Sequence, residues 1–111
     1  MRIIYILILL VCIGSNAFAN SGVDVEKLAN AIYRAENSQK HPYGILKHYK
    51  HTTPRQACIN TIRHAERDWN GKDDFIMFLG SRYCPIGAKN DPKGLNKNWV
   101  KNVKYYYERQ P

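Results

Sequence analysis

An apolar run close to the N-terminus sets the main limit on what this chain can fold into. The run extends from Ile3 to Ile13, follows Arg2 and precedes Ala17-Phe18-Ala19. A basic residue, an apolar stretch and a small-x-small site are the three parts of a secretory signal peptide. The run is shorter than the roughly 20 residues that span a bilayer as a helix. We therefore expect residues 1–19 to be cleaved and residues 20–111 to form one exported domain, periplasmic or extracellular, without membrane insertion.

The cysteines bear on how so small a domain is stabilised. Cys12 could be a lipoprotein cysteine, although Val11 before it is larger than the residue usual there. Cys58 and Cys84 stay in the mature chain, in a compartment where disulfides persist. A bridge between them would close a loop of roughly 25 residues and add about 3–4 kcal/mol to a marginal core. We predict that disulfide; two buried thiols or a reactive cysteine are the alternatives.

The charge of the chain indicates an anionic partner. The sequence has 17 Lys and Arg against 9 Asp and Glu, a net charge of +8, and no two basic residues are adjacent. Scattered charge favours a general attraction to an anionic polymer over a focused nucleic-acid stripe. For an exported protein that polymer is the cell envelope, through peptidoglycan carboxylates or anionic lipid. A solvated basic surface without a partner is the alternative.

Four segments have the apolar spacing of helices, and none has the alternation of a strand. The predicted helices span residues 23–35, 54–70, 75–79 and 98–107, with polar loops between them. The third segment is apolar nearly all round, which predicts a place in the centre of the domain. The sequence thus predicts an all-α fold with long loops.

Capping residues precede each predicted helix. Thr53, Pro54 and Gln56 form a capping box with proline at the first helical position, the clearest helix start in the chain. Ser21 and Asp24 resemble a capping box before the first helix, with Asp in place of Glu or Gln. The other predicted N-caps are Asp73 or Asp74 for the third helix and Asn98 for the fourth.

Glu36 lies where the first predicted helix stops and a polar loop begins. It follows Ile32 by four residues, so it lies at the edge of the buried stripe of that helix. A carboxyl group shielded on one side by a helix and open to a cleft on the other suits a general acid. The alternative is a surface glutamate, which the macrodipole disfavours at a helix C-terminus by about 0.3–1 kcal/mol.

Four motifs follow one another along the mature chain. They are Glu36-Asn37-Ser38, Tyr43-Gly44-Ile45-Leu46, Ser81-Arg82-Tyr83-Cys84-Pro85 and Asn98-Trp99-Val100-Lys101-Asn102-Val103. Their order resembles that of the lysozyme-like superfamily, specifically small bacterial lytic transglycosylases of the soluble type. In that family the matching motifs are a catalytic Glu followed by Ser, Gly-Leu-Met-Gln, Ala-Tyr-Asn-Ala-Gly and Asn-Tyr-Val-x-x-Val. This chain departs from the pattern because Ser comes two residues after Glu36, no Gln follows Leu46, and Tyr83 has no neighbouring Asn.

The resemblance implies a lysozyme-like fold and cleavage of the β-1,4 bond between N-acetylmuramic acid and N-acetylglucosamine in peptidoglycan strands. In that family one glutamate protonates the leaving oxygen and then acts as base on the muramoyl 6-hydroxyl, without a cofactor. Glu36 stands at that position, and Tyr43, Gly44, Ile45 and Tyr83 stand at substrate-binding positions. Tyr83 could orient Glu36 or contact an acetamido group, and Tyr43 could stack on a sugar. Core packing is the alternative for both tyrosines.

An ordinary glycosidase needs a second carboxylate. The candidates are Asp73, Asp74 and Asp91, and the first two are already expected to cap the third helix. This favours a transglycosylase over a hydrolase. We expect a monomer that acts on peptidoglycan and binds no nucleic acid. The resemblance is compatible with a role in a secretion or envelope-spanning machine, in a phage or in general wall turnover.

Three other functions compete with this one. A non-catalytic, cationic peptidoglycan-binding protein on the same fold fits the departures from the family motifs. A nucleic-acid or anionic-lipid binder is supported by charge alone. His41, His48 and His51 could share a zinc ion, but the sequence lacks the His-Glu-x-x-His helix typical of such sites. We therefore expect no metal.

Overall fold

The computed structural model describes residues 21–83 and 94–110. The predicted signal peptide, with Cys12 and the cleavage site at Ala19, lies outside these residues, as do Cys84 and Asp91. No helix in the described part of the chain combines the length and apolar character needed to cross a membrane.

The described residues form four α-helices and contain no strand, which confirms the predicted all-α class. The helices are α1 (Val25–Glu36), α2 (Pro54–Asp68), α3 (Phe75–Tyr83) and α4 (Trp99–Glu108). Two short 3-10 turns, at Pro42–Gly44 and Leu95–Asn98, interrupt the loops. The second turn replaces the end of a predicted irregular loop, so the chain is already helical when it reaches α4.

Side-chain hydrogen bonds confirm the predicted caps at two of the four helix starts. The Thr53 hydroxyl accepts a hydrogen bond from the Gln56 amide at 3.1 Å, and the Asp74 carboxylate accepts one from the Met77 amide at 2.9 Å. Asp24 is itself the N-cap of α1, because its carboxylate accepts from the Lys27 amide at 3.1 Å. The prediction that Ser21 opens this box is wrong.

Asn98 makes no side-chain capping bond at α4. Its backbone is already in the right-handed helical region, with φ −84° and ψ −10°, because the preceding 3-10 turn runs directly into the helix. Asn98 thus occupies the predicted N-cap position, but its backbone is helical where an N-cap residue is normally extended, and its side chain does not cap the helix.

Helices α1 and α4 run antiparallel to each other. At one end, the Tyr107 hydroxyl accepts a hydrogen bond from the Asp24 amide at 3.0 Å. At the other end, the Trp99 indole reaches Glu36, the last residue of α1. The fully buried side chains between the helices come from all four of them: Leu28 and Ile32, Cys58 and Ile62, Leu79, and Val103. The antiparallel pairing therefore brings the end of α1 against the start of α4.

Helix α3 is longer and less central than its apolar sequence predicts. Phe75, Ile76 and Leu79 are buried, but Met77 is 58% exposed, so the helix lies at the side of the core. It continues through Gly80 because that residue is in contact with α4: a Cβ there would lie 3.0 Å from Val100 Cγ2 and 3.1 Å from Trp99 Cε3. This close approach sets where Trp99 sits.

A pair of leucine substitutions tests this core. Leu28 is fully buried on α1, whereas Leu46 is 67% exposed. We expect Leu28→Ala to lower the free energy of unfolding by about 2–5 kcal/mol, because it removes buried methyl groups and leaves a cavity. The same change at Leu46 is the matched control and should stay within about 0.5 kcal/mol of wild type. Urea denaturation measures both, and equal losses would contradict the described burial.

Candidate active site

Glu36 is half-buried at the C-terminal end of α1. The indole Nε1 of Trp99 donates a hydrogen bond to its Oε2 atom at 2.9 Å. The second carboxylate oxygen, Oε1, has no hydrogen-bond partner among the described residues. The protein thus holds one oxygen of the carboxylate in place.

Gly44 forms the surface on which this carboxylate rests. A Cβ on Gly44 would lie 2.7 Å from Oε2 and 2.8 Å from Cδ of Glu36, closer than real contacts allow. Gly44 also has φ +71°, a left-handed conformation that L side chains rarely adopt. Both the contact with Glu36 and the backbone angle require glycine. The structure therefore brings the two predicted site residues, Glu36 and Gly44, into direct contact.

Tyr43 lies in the core and not in a cleft wall. Its side chain is only 9% exposed and its ring lies 5.0 Å from that of Tyr33. The hydroxyl accepts a hydrogen bond from Arg55 Nη1 at 3.1 Å, and Arg55 also forms an ion pair with Glu26. The burial of the ring supports the alternative of core packing over stacking on a sugar. A positive φ of 62° at Tyr43 turns the chain towards Gly44.

Tyr83, at the end of α3, connects the loop to Trp99. Its ring stacks on the Trp99 ring with centroids 5.3 Å apart and an interplanar angle of 28°. Its hydroxyl donates a hydrogen bond to the Tyr43 carbonyl oxygen. Tyr83 thus braces the indole that binds Glu36.

Cys58 lies fully buried on α2, near this cluster. Burial raises the pKa of its thiol to about 11; the charge of Glu36 acts in the same direction, and a hydrogen bond with Tyr83 opposes it. Cys58 is a free cysteine in the structure. Its predicted partner, Cys84, lies outside the described residues, so the disulfide between them stays a prediction.

An open groove of about 220 Å³ begins beside Gly44. Two of its side chains, Leu46 and Tyr49, are well exposed to solvent. Its walls combine apolar, aromatic and cationic groups from the loop, α2 and α3: Gly44, Ile45, Leu46, Lys47, Tyr49, Thr61, Arg82 and Tyr83. Gly44, Ile45 and Tyr83 are predicted site residues, and the structure gathers all three along this groove.

Six residues of the site are not among the predicted site residues. Leu46, Lys47, Tyr49, Thr61 and Arg82 line the groove, and Trp99 binds Glu36. Trp99 stands in a motif that suggests the fold, but nothing in that motif indicates a hydrogen bond to the glutamate. The exposed aromatic ring of Tyr49, within a polar loop, is the one local signal that could have been read as ligand-binding.

No second carboxylate in the described part of the chain is free to work with Glu36 at close range. Glu108 is exposed nine residues beyond Trp99, about 13 Å along the helix axis. Six other acids are engaged elsewhere: Asp24 with Lys27, Glu26 with Arg55, Glu66 with Ser21, Asp68 with Arg82, Asp73 with Asn70 and Asp74 with Lys104. Asp91, the third predicted candidate, lies outside the described residues.

The histidines of the polar loop do not form a metal centre in the structure. Within residues 21–83 and 94–110, no group of three or more His, Cys, Asp or Glu side chains could hold a metal ion. His48 and His51 are both exposed. The zinc alternative therefore gains no geometric support from the described loop.

Alanine substitutions at Gly22 and Gly44 distinguish the steric effect of the Glu36 contact from the effect of the backbone angle. Gly22 has φ +74° and nothing within 4 Å of the place that a Cβ would occupy, whereas Gly44 has a similar φ and meets the carboxylate. We expect Gly22→Ala to cost about 1–2 kcal/mol for the left-handed angle. Gly44→Ala should cost about 1–3 kcal/mol more because of overpacking. Chemical denaturation measures both, and equal costs would mean that the carboxylate does not rest on Gly44.

Alkylation tests the state of Cys58. Because burial keeps the thiol protonated and covered, we expect iodoacetamide at pH 8 to leave Cys58 unlabelled in the native protein. After unfolding without reductant, a free thiol becomes labelled and a disulfide does not. Mass spectrometry of the peptide containing Cys58 measures the label. No label after unfolding would contradict the free thiol and support the predicted bridge to Cys84.

Comparison with known proteins finds nothing similar to this chain. No protein-family model matches it, and neither a curated protein nor a solved structure does. The resemblance based on motif order therefore stays a prediction, and the chemistry of the site rests on its own geometry.

Proposed function

We propose that this protein is a lytic transglycosylase that cleaves peptidoglycan strands, with Glu36 as its single catalytic acid and base. The observation that carries the proposal is the state of the Glu36 carboxylate. One oxygen is held by Trp99 at 2.9 Å, the group rests on Gly44, and the other oxygen has no partner among the described residues. A glutamate with only a structural role would not require a residue without a side chain at the position that its carboxylate contacts.

Holding one carboxylate oxygen supports proton transfer from the other. A general acid must stay within hydrogen-bond reach of the atom that it protonates, roughly 2.6–3.2 Å. The Trp99 hydrogen bond and the Gly44 contact remove most of the rotational freedom of Glu36. The free Oε1 can then face a glycosidic oxygen with little loss of entropy on binding.

The groove beside Gly44 has the chemistry of a sugar-binding surface. Sugar rings present apolar C–H faces and hydroxyl edges, so they are bound by aromatic or apolar side chains together with hydrogen-bonding groups. Leu46, Tyr49 and Tyr83 supply the first kind, and Thr61 and Arg82 supply the second. Gly44 lines the groove and contacts the Glu36 carboxylate, so the groove adjoins the proposed acid.

The proposed reaction uses the same carboxyl group twice. Glu36 first gives its proton to the glycosidic oxygen as the bond from that oxygen to the anomeric carbon breaks. The resulting carboxylate then takes the proton of the muramoyl 6-hydroxyl, whose oxygen bonds to the same anomeric carbon. The product is a 1,6-anhydro sugar, no water is consumed, and the glutamate regains its proton.

The engagement of the other acids supports this one-carboxylate reaction. Glycosidases that use two carboxylates hold them about 5–5.5 Å or 6.5–9.5 Å apart. Six described acids are bound to other partners, and Glu108 is too far along α4. The net charge of +8 favours attraction to the carboxylates of the cell wall. Export and a lysozyme-like arrangement belong to the same proposal.

Mass spectrometry of fragments released from purified peptidoglycan tests this function. We expect wild type to release 1,6-anhydro-muropeptides and Glu36→Gln to lower the rate at least about 100-fold, the usual contribution of a general acid or base. Glutamine keeps the size of the side chain and an oxygen that can accept from Trp99. Circular dichroism should therefore show an unchanged fold.

The matched control is Glu108→Gln, the same chemical change at an exposed position on α4, which should keep full activity. Fragments with reducing ends would indicate a hydrolase instead. Binding to peptidoglycan without any released fragment, unaffected by Glu36→Gln, would indicate the non-catalytic binding protein. Full activity in Glu36→Gln would refute the proposed catalytic residue.

A further inference from the structure

A second and larger cavity adjoins the C-terminal end of α1. It has a volume of about 540 Å³ and is open to solvent. Polar and aromatic side chains of α1, the following loop and α4 line it: Tyr33, Arg34, Ala35, Asn37, Ser38, Gln39, Asn102 and Tyr106. No acidic residue is among them. The cavity therefore carries a positive charge from Arg34 without a negative charge to balance it.

Arg34 contacts an aromatic ring but has no acidic partner among the described residues. Its guanidinium carbon lies 4.8 Å from the centre of the Tyr106 ring. It makes no hydrogen bond or ion pair to the described residues, unlike Arg55 and Arg82, which each bind a carboxylate within 2.7 Å. A cation–π contact leaves the five N–H donors of an arginine available. A basic residue in the last turn of α1 also complements the helix dipole, but that explains neither the cavity nor its other donors.

Amide and hydroxyl groups line the same cavity as Arg34. The side-chain amides of Asn37, Gln39 and Asn102 form no hydrogen bonds within the described part of the chain. The Ser38 hydroxyl accepts a bond from the His41 amide at 2.9 Å and keeps its own proton to donate. A guanidinium beside three primary amides suits a ligand with a carboxylate and several peptide groups.

The cavity adjoins the proposed catalytic residue. Ala35 and Asn37 line it and are the chain neighbours of Glu36, so their Cα atoms lie about 3.8 Å from that of Glu36. The Glu36 carboxylate contacts Gly44 and Trp99, and Asn102, one turn after Trp99 on α4, lines the same cavity. A sugar whose bond is cleaved at Glu36 would therefore have a substituent within reach of Arg34.

We propose that this cavity binds the peptide carried by the muramoyl sugar, with Arg34 recognising a peptide carboxylate. This inference rests on the proposed function, because it takes peptidoglycan as the substrate. Arg34 forms the charge-assisted hydrogen bonds, and the amides of Asn37, Gln39 and Asn102 bind the peptide groups. The enzyme thereby distinguishes strands that carry peptides from bare glycan.

Calorimetric titration with N-acetylmuramoyl-tripeptide tests the binding site on the full chain, because this probe has no glycosidic bond to cleave. We expect Arg34→Gln to weaken binding at least about tenfold, as expected for loss of a hydrogen bond to a charged group. Amidation of the probe carboxylates should weaken its binding to wild type by a similar factor. Arg63→Gln, an exposed arginine on α2 that does not line the cavity, is the matched control and should bind like wild type.

Equal affinity of the acid and amidated probes, or of wild type and Arg34→Gln, would overturn the inference, as would the absence of binding. A second measurement compares cleavage of peptide-bearing strands with cleavage of strands from which the peptides have been removed. Wild type should prefer the peptide-bearing strands, and Arg34→Gln should lose that preference. Binding that depends on Arg34, without any cleavage, would support the peptide-binding site and refute the proposed function. Cleavage without a preference for peptide-bearing strands would support the proposed function and refute the peptide-binding site.

Discussion

The hydrogen bond from the Trp99 indole to the Glu36 carboxylate joins the end of α1 to the start of α4. It forms because α1 and α4 pack antiparallel, so that the last residue of one helix meets the first residue of the other. A half-buried carboxylate needs such a donor, since a buried polar group without a partner costs free energy. Several other packing features hold Trp99 where that donor is required.

Two glycines make this contact sterically possible. Gly80 lets α3 approach α4 closely enough to seat the Trp99 ring, and Gly44 leaves space for the carboxylate itself. Tyr83 joins these parts, because its ring stacks on Trp99 while its hydroxyl binds the loop carbonyl just before Gly44. Gly44 lines the groove, whereas Ala35 and Asn37 line the larger cavity, so both adjoin the end of α1 at Glu36.

Local sequence patterns predict the helices well wherever a cap and an apolar stripe agree. Thr53 with Gln56 marks the start of α2 because a side-chain oxygen and a nearby amide interact within one turn. The same reasoning fails at Ser21, whose hydroxyl donates to Glu66 on a different helix. It also fails for Met77, which is apolar but exposed because α3 lies beside the core. In both cases a distant element decides the outcome.

The sequence by itself determined the helical class, the end of α1 at Glu36 and the need for a glycine in the loop that follows. These features depend on interactions between residues close in the chain. Only the tertiary structure decided that Trp99 binds Glu36 across 63 residues, that Tyr43 belongs to the core, and that Arg34 faces a cavity. Contacts of this kind depend on how whole helices pack against each other. No local spacing of residue types encodes that packing, so the partners of Glu36 become visible only in the folded chain.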